Sequence, residues 1–426
     1  MFNNVIDAIN YIESRKRTTK KTNLDSMYKL CALFDNPQDS NIKFIHVAGT
    51  NGKGSVVSYL RNVLCENKQL KVGSFTSPYI ECFNERIEIN GEYISDSDVI
   101  KYTNYIIDTI DKNNYGEIGF FEFITIMCFL YFKDRKVDIA IIEVGIGGLL
   151  DSTNVINPIL SIISNVSYDH MNILGDTLHE IGTQKLGIVK TKGALITIEN
   201  EEINNLIIDT CKERNAKLIL VKKADIKDVN IGLNETLFSY KEFKNVKLKM
   251  LGLYQCENAS IVLEALSYLI NYHNNEFNIN IDNIYNGLFK TFWQGRLELI
   301  NQNPLIIIDG AHNIDGINRL YEYLFLLKEK LNKKLRLILA ISANKEKFKM
   351  IKKIDSLADE IIFTSFSYKR SEDGRVLYNA SNNKNKLYSD DLKDILNKTL
   401  EDNDYINCFA GSLYFVSEIR KMFFDK

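Results

Sequence analysis

Residues 43–60 read KFIHVAGTNGKGSVVSYL, which is an apolar run, a glycine-rich turn and a helix-like run in direct succession. The first six residues are rich in β-branched and aromatic side chains and predict a buried strand. The glycines let successive backbone N–H groups approach an anion, the helix start adds a favourable dipole, and Lys53 adds a positive charge. We therefore predict a phosphate-binding loop formed by Thr50, Asn51, Gly52, Lys53, Gly54 and Ser55.

The loop departs from the usual P-loop pattern at two positions. Val47 and Gly54 stand where that pattern has a glycine and a hydroxyl residue. Ser55, one residue later, still offers a hydroxyl. The structural alternative is a strand-to-helix turn that binds no ligand, and the lysine between two regular elements argues against that alternative.

Short apolar runs alternate with helical runs along the rest of the chain. Strand-like segments recur at KFIHVA, VDIAIIEV, ILSIIS, GALITI and AKLILV, and a second series follows TFWQGRLELI. This alternation is typical of parallel sheets covered by helices. We predict an α/β protein in which a P-loop-type, mostly parallel sheet domain spans residues 1–296 and a smaller C-terminal α/β domain spans residues 300–426, with the active site at their junction.

The composition excludes several classes of protein. The 426 residues are 45% hydrophobic and 25% charged, which is typical of a globular chain of two or three domains. Because 53 Lys and Arg nearly balance 55 Asp and Glu, the net charge of −2 favours neither a nucleic acid nor a membrane surface as partner. A small-molecule substrate is the expected partner.

The cysteines and the apolar segments predict a cytoplasmic protein. Seven cysteines lie scattered without a C-x-x-C pair, which argues against a disulfide framework and a zinc site. The first 21 residues lack the apolar segment of a signal peptide. Residues 118–132 form the longest apolar stretch but fall short of the roughly 18 residues of a membrane span, so we predict a buried helix there.

A carboxylate follows a predicted strand in IIEVGIGGLLDSTNV, residues 141–155. Ligands of open parallel sheets bind at the carboxyl ends of the strands, so Glu143 is placed to hold Mg²⁺ on a nucleotide phosphate. A purely structural role is the alternative, and the phosphate loop predicted in the same sheet favours the metal.

Polar residues also follow the next predicted strand, in SNVSYDHMNILGDT, residues 164–177. Asp169 and His170 lie there, and His46 and His312 abut other strand ends. A lone histidine is usually a satisfied polar residue, but only five occur in the chain.

Nine segments together resemble the folylpolyglutamate synthase and dihydrofolate synthase family, a branch of the Mur-ligase-like ATP-dependent amide ligases. They occur in family order across residues 43–420 and read AGTNGKGS, TSPYIECFNERIEING, FFEFIT, EVGIGG-LDSTNV, DH, LGDTLHEIGTQKLGIVK, GRLE, DGAHN and GSLYFVSEIR. The resemblance implies an N-terminal domain like the central domain of Mur ligases and a Rossmann-like C-terminal domain.

The resemblance also assigns roles to individual residues. It implies ATP contacts for Thr50 to Ser55, Asn258, Arg296 and Asp309, and Mg²⁺ ligation by Ser77, Glu143 and His170. It implies that Lys185 is carried as a carbamate that serves the metal site, although the sequence alone predicts only a helix-surface lysine there. The residues implied on the folate or pterin side are Gly119, Phe120, Phe121, Glu122, Leu150, Asp151 and Ser152.

The implied reaction is phosphorylation of a substrate carboxylate by ATP, followed by attack of the glutamate amino group on the acyl phosphate. Lys53, Glu143, His170, Lys185 and Arg296 would carry the catalysis. The implied substrates are ATP, L-glutamate and a folate or dihydropteroate, with Mg²⁺ as cofactor. Neither nucleic acid nor membrane is expected as a partner, and we expect a monomer.

Four segments depart from the family pattern. Leu149 replaces an arginine, Gln184 replaces a glutamate before Lys185, Tyr254 replaces a histidine, and SANKEK (342–347) replaces a D-K-D-type signature. Leu149 removes a cation near the expected substrate site. Two alternative functions follow. The first is the same ligase chemistry on a different carboxylate acceptor. The second is a catalytically silent paralogue that binds nucleotide or folate.

Overall fold

The structure is a computed structural model that describes residues 1–16, 22–368 and 370–424. Its contacts divide the chain into two compact units. The first unit comprises Met1–Ile226 and Glu257–Thr291, and the second comprises Lys227–Cys256 and Phe292–Lys426. Each unit is an α/β assembly with a mostly parallel sheet, which confirms the predicted fold class.

An eight-stranded sheet forms the centre of the first unit, in the order β4-β3-β2-β5-β1-β6-β7-β8. Strands β2, β5, β1, β6, β7 and β8 run parallel, and β3 and β4 pair antiparallel at one edge. The strands are β1 (Lys43–Ala48), β2 (Val72–Phe75), β3 (Ile87–Ile89), β4 (Glu92–Tyr93), β5 (Ile139–Glu143), β6 (Leu160–Ile163), β7 (Ala194–Ile198) and β8 (Lys217–Val221).

Ten helices belong wholly or mainly to the described part of this unit. They are α1 (Val5–Ser14), α2 (Asp25–Ala32), α3 (Lys53–Cys65), α4 (Asp96–Lys112), α5 (Phe120–Arg135), α6 (Met171–Leu174), α7 (Leu178–Leu186), α8 (Asn204–Glu213), α9 (Leu253–Phe277) and α10 (Ile281–Lys290). Helix α5 is buried along most of its length, as predicted for residues 118–132. Among the described residues, none of the helices combines the length and apolar character that a membrane crossing requires.

The second unit contains two sheets. A three-stranded sheet has the order β11-β10-β9, and a six-stranded sheet has the order β12-β13-β17-β14-β15-β16, antiparallel only where β12 pairs with β13. The strands are β9 (Ile226–Ile231), β10 (Thr236–Tyr240), β11 (Phe243–Leu248), β12 (Glu298–Gln302), β13 (Leu305–Asp309), β14 (Lys334–Leu339), β15 (Glu360–Phe363), β16 (Lys386–Tyr388) and β17 (Tyr405–Ala410). The helices are α11 (Ile314–Leu331), α12 (Lys347–Ile354), α13 (Gly374–Ala380), α14 (Leu392–Glu401) and α15 (Leu413–Phe424).

The segment 227–256 belongs to a different unit from the one that the sequence assigned to it. The predicted division placed it within residues 1–296, whereas the structure places it in the second unit. The physical reason is hydrophobic burial, because Ile231, Leu233 and Leu251 pack with the core that contains Leu305 and Leu337. The predicted change of domain near residue 296 lies close to the observed change after Thr291.

Candidate active site

The glycine-rich loop connects β1 to α3, as the sequence predicts. Gly52 adopts φ +84°, a conformation that favours glycine, and α3 begins at Lys53. A Cβ atom on Gly52 would lie 2.5 Å from Asn258 Oδ1, so the structure brings Asn258 directly against the loop. The loop therefore presents a helix N-terminus, glycine backbone and an amide side chain to one place, which is chemistry suited to a phosphate.

Lys53 and Glu143 meet beside this loop. The Lys53 Nζ donates to the carbonyl oxygens of Gly49 and Thr50 at 3.2 and 3.3 Å. It also lies 4.0 Å from Oε1 of Glu143, which ends β5 next to β1 and is 4% exposed. The amino group therefore lies between the carbonyls of the loop and a buried carboxylate.

Ser77 lies beside the same carboxylate. Its backbone N–H donates to Glu143 Oε2 at 3.1 Å. His170 follows β6, adopts φ +52°, and holds its Nε2 4.0 Å from Asp169 Oδ2. The Glu143 carboxylate and the Ser77 hydroxyl are oxygen donors of the kind that a hard cation such as Mg²⁺ prefers.

The protein does not build a metal cage of its own in the part of the chain that the structure describes. No group of three or more His, Cys, Asp and Glu side chains is gathered there closely enough to hold a metal ion. Mg²⁺ commonly binds through one or two carboxylates together with substrate phosphates and waters. The observed donors are suited to a nucleotide-bound magnesium ion rather than to a permanent metal centre.

Lys185 is buried, so the prediction of a surface lysine is wrong. The buried face of α7 is formed by Leu178, Ile181, Gly182, Lys185 and Leu186, and Lys185 is 3% exposed. Burial and then the positive charge of Lys53 lower the pKa of Lys185, Asp169 opposes them, and the resulting pKa is about 7. An amine that loses its proton readily therefore lies within electrostatic reach of the phosphate loop.

Three residues that the sequence analysis did not assign hold the phosphate loop in place. Asn165 Oδ1 accepts from the Asn51 N–H at 2.8 Å, and Ser164 Oγ donates to the Asn51 carbonyl at 2.6 Å. Thr50 Oγ1 donates to the Ser167 carbonyl and accepts from its N–H, each at 3.0 Å. The available signal was the polar segment SNVS directly after β6, the strand that neighbours β1.

The GIGG segment after β5 is fixed by Asp151. Its Oδ2 accepts from the N–H groups of Gly145 and Ile146, both at 3.1 Å, and its Oδ1 accepts from Thr153 Oγ1 at 2.6 Å. Thr153 Oγ1 in turn lies 2.8 Å from His46 Nε2. Burial, and after it the charge of Lys190, lowers the pKa of His46 to about 3. His46 therefore stays neutral and supports this loop through Thr153.

Among the remaining residues predicted on the folate side, Phe121 lies against this loop. A Cβ on Gly145 would lie 2.6 Å from the Phe121 ring, whose centroid is 5.9 Å from that of Phe75. Glu122 Oε2 accepts from the Gly119 N–H at 2.8 Å and thereby caps α5, which starts at Phe120. Leu150 and Ser152 flank Asp151 in the chain, and Ser152 is buried.

Two of the departures from the family pattern are neighbours in space. The Leu149 N–H donates to the Gln184 carbonyl at 2.7 Å, and the Leu149 side chain is 36% exposed. Both positions carry neutral side chains. An uncharged patch therefore adjoins Lys185.

The second unit positions Arg296 and Asp309 on its own sheet. Asp309 ends β13, and its carboxylate accepts from the N–H groups of Leu297 and Ala311, both at 2.8 Å. Burial raises the pKa of Asp309, and the charge of Arg296 acts against that rise. The turn that contains Arg296 is thus held against Asp309 at the carboxyl end of β13. Tyr254 lies near both groups, and its pKa is raised well above the usual value, first by burial and then by Asp309.

Two family models cover most of the chain. The Mur ligase middle domain matches residues 47–266, and the dihydrofolate synthetase C-terminal domain matches residues 296–422. The dihydrofolate synthase/folylpolyglutamate synthase of Bacillus subtilis is 35% identical over 438 aligned residues that cover 99% of each chain. This protein belongs to the folylpolyglutamate synthase/dihydrofolate synthase family.

Other members of this family agree in sequence and in fold. The folylpolyglutamate synthase of Lacticaseibacillus casei is 34% identical over 80% of this chain and 81% of its own. A solved FPGS–AMPPCP–folate complex is 29% identical in sequence and superposes with a TM-score of 0.83. The superposition covers 99% of this chain and 100% of that one. The family resemblance predicted from the nine motifs is therefore confirmed.

Proposed function

We propose that this protein is an ATP-dependent, ADP-forming ligase that joins L-glutamate to a folate carboxylate through an acyl phosphate. The observation that carries the proposal is the phosphate loop with Lys53 Nζ 4.0 Å from the buried carboxylate of Glu143. Membership of a family that includes an AMPPCP and folate complex supports both substrates.

The first step transfers the terminal phosphoryl group. A carboxylate oxygen of the folate attacks the γ-phosphorus, the bond to the bridging β,γ-oxygen breaks, and ADP leaves with that electron pair. Lys53 and the N–H groups at the start of α3 offset the charge that develops on the phosphoryl oxygens. Arg296 supplies a further positive charge in this proposal.

The second step forms the amide bond. The neutral amino group of glutamate attacks the acyl carbon, phosphate departs with the electrons of the acyl–oxygen bond, and the new amide nitrogen loses one proton. An acyl phosphate is hydrolysable, so the site must exclude water while the intermediate exists. The sequence predicts that the active site lies at the junction of the two domains, and this stays a prediction.

Ser77, Glu143 and His170 would hold Mg²⁺ together with the nucleotide phosphates. Bound there, the cation would neutralise part of the triphosphate charge. Lys185 would carry the carbamate, because a buried amine with a pKa of about 7 is largely neutral above that pH and only the neutral amine reacts with CO₂. The carbamate would restore a negative charge next to Gln184.

Two further predictions from the sequence complete the proposal. All seven cysteines, each in the described part of the chain, are free, which supports the predicted cytoplasmic location. The monomeric state stays a prediction, and so does the use of L-glutamate as the third substrate.

A second candidate function keeps the ligase chemistry and changes the acceptor. It is favoured by the uncharged pair of Leu149 and Gln184, because a carboxylate or pterin bound near them would lack a fixed cation. The silent paralogue is disfavoured by the presence of Lys53, Glu143, His170 and Arg296, which a dead copy has no reason to keep.

A turnover assay separates these functions. ADP release is measured with Mg-ATP and L-glutamate in the presence of tetrahydrofolate, dihydropteroate or no acceptor, and product masses are read in parallel. We expect ADP release that requires both glutamate and one of the two acceptors, with a product one glutamyl unit heavier. The absence of any ADP release that depends on either acceptor would contradict folate ligation and favour the changed acceptor or the silent paralogue.

A further inference from the structure

Two of the family motifs end in charged residues that have no role so far. GRLE ends at Glu298 and GSLYFVSEIR ends at Arg420, which are 122 positions apart in the chain. The second unit joins them, since Arg420 Nε donates to Glu298 Oε1 at 2.9 Å. The two side chains are only 15% and 4% exposed, so this ion pair is shielded from solvent.

The other oxygen of Glu298 holds the turn that contains Arg296. Glu298 Oε2 accepts from the Gly295 N–H at 2.8 Å. On the far side of Arg296, the Leu297 N–H donates to Asp309 Oδ2, also at 2.8 Å. Two buried carboxylates therefore accept from the N–H groups of the two residues that flank Arg296.

The backbone of this turn needs such support. Gly295 adopts φ +65° and Leu297 adopts φ +46°, and the left-handed region costs a non-glycine residue such as Leu297 conformational energy. The Gly310 N–H also donates to the Gly295 carbonyl at 2.8 Å, which ties the turn to the end of β13. Without its hydrogen bonds the turn would relax toward more favourable conformations.

Helix α15 contacts residues next to this turn at two points. A Cβ on Gly310 would lie 2.7 Å from Arg296 Nη1 and 2.2 Å from Leu413 Cδ2, so the guanidinium and Leu413 both lie against Gly310. Arg420 is seven residues after Leu413, which places both on one face of the helix. The helix thus packs against Gly310 through Leu413 and supports the turn through Arg420 and Glu298.

We propose that Glu298 and Arg420 are positioning residues whose ion pair fixes the turn 295–297 and thereby aims the guanidinium of Arg296 at the phosphates of ATP. This inference rests on the proposed role of Arg296 in the ligase reaction. Neither Glu298 nor Arg420 touches substrate in this arrangement, and both act through Arg296.

A double-mutant cycle tests the inference. The kcat/KM for ATP is measured for Glu298→Ala, for Arg296→Ala and for the double variant. Loss of a hydrogen bond to a charged group corresponds to roughly a tenfold to hundredfold fall, which we expect for Glu298→Ala. In the Arg296→Ala background the same substitution should have almost no further effect, because its effect passes through Arg296.

Conservative variants keep the test decisive where Glu298→Ala fails to fold. Glu298→Gln retains an oxygen that can accept from the Gly295 N–H, and Arg420→Gln removes the ion pair while it leaves Glu298 unchanged. Either variant can replace Glu298→Ala in the cycle.

The matched control is a second buried glutamate–arginine pair in the same sheet. Arg336 Nε donates to Glu360 Oε1 at 2.6 Å, and Glu360 is the first residue of β15. Glu360→Gln should lower the melting temperature without changing the kcat/KM for ATP. Its effects should combine independently with those of Arg296→Ala.

Two results would overturn the inference in distinguishable ways. In the first, the double variant loses as much kcat/KM for ATP as the two single substitutions combined. That result would show that Glu298 does not act through Arg296, and it would leave the ligase function intact. Wild-type kcat/KM for ATP in Arg296→Ala would remove the proposed ATP role of Arg296 and the inference with it.

Discussion

Lys53→Ala is expected to abolish measurable ADP formation while the protein stays folded. The amino group is the positive charge placed closest to the predicted phosphate site in the first unit, beside Glu143. Removing one preorganised group that stabilises developing charge costs roughly a hundredfold to a thousandfold in kcat. The measurement is acceptor-dependent ADP release by the variant and the wild type.

The fold should persist, because Lys53 donates to the carbonyls of Gly49 and Thr50 in its own loop and its Nζ lies 4.0 Å from Glu143 Oε1, at the outer limit of an ion pair. Lys68→Ala is the matched control, since Lys68 Nζ donates to the Cys65 carbonyl at 3.0 Å beyond the other end of α3. That variant should keep normal turnover. Near-normal turnover by Lys53→Ala would remove the phosphate loop from the mechanism.

Lys185→Ala is expected to lose most activity, and short carboxylic acids such as acetate should restore part of it. The substitution empties a buried position beside the phosphate loop, where a carbamate would place a carboxylate-like group. A small carboxylate can enter that space and supply the missing negative charge. We expect a fall of about a hundredfold, the lower end of the range for one electrostatic group in an active site.

Lys190→Ala is the control for the rescue. Lys190 is another mostly buried lysine, with its pKa lowered by burial to about 8, and it donates to the carbonyl and the side chain of Asn154 at 2.8 and 2.9 Å. Loss of the Lys190 amino group should weaken the segment around Asn154 without creating a site for a carboxylate. Acetate should therefore not restore the activity of this variant. Full activity of Lys185→Ala without any acid would refute the carbamate.

The wild-type enzyme should also respond to pH and to bicarbonate. Because burial lowers the pKa of Lys185 to about 7, the amine is mainly neutral above that pH and protonated below it. A protonated amine cannot take up CO₂, so activity should fall as the pH drops through about 7 and recover partly when bicarbonate is raised. An identical bicarbonate response in Lys185→Ala would contradict this origin.

The parallel cores of both units could be predicted because their strands are continuous apolar runs. The run KFIHVA became β1, and the runs ending in Glu143 and Asp309 became β5 and β13. Strands buried on both faces carry this strong signal whatever surrounds them. Residues at their carboxyl ends were therefore correctly placed at one edge of each sheet.

The sheet of β9, β10 and β11 was not predicted, because its strands lack such runs. Strand β9 reads IKDVNI, and its residues are mostly exposed. The predicted division also splits the chain at a single point. The chain passes between the two observed units more than once, so a single division could not describe them. Helix α9 begins at Leu253 in the second unit and continues through Glu257 into the first.

Within the candidate site, the spacing of apolar residues around Lys185 indicates that this lysine is buried. The prediction of a lysine on the helix surface did not take that spacing into account. Leu178, Ile181 and Lys185 are spaced by three and four residues, so a helix places them on one face. A lysine on an apolar face indicates burial. By contrast, the contacts of Asn165 with Asn51, and of Arg420 with Glu298, join distant segments and required the fold.

The measurement that tests the central claim most directly follows the oxygen atoms of the folate carboxylate. The acceptor is labelled with ¹⁸O in the carboxylate that becomes the amide, and the released phosphate is analysed by mass spectrometry after turnover with ATP and L-glutamate. An acyl phosphate requires one labelled oxygen to pass from the carboxylate to phosphate, and this is the result that we predict. Unlabelled phosphate, formed together with a glutamylated product, would contradict the proposed mechanism.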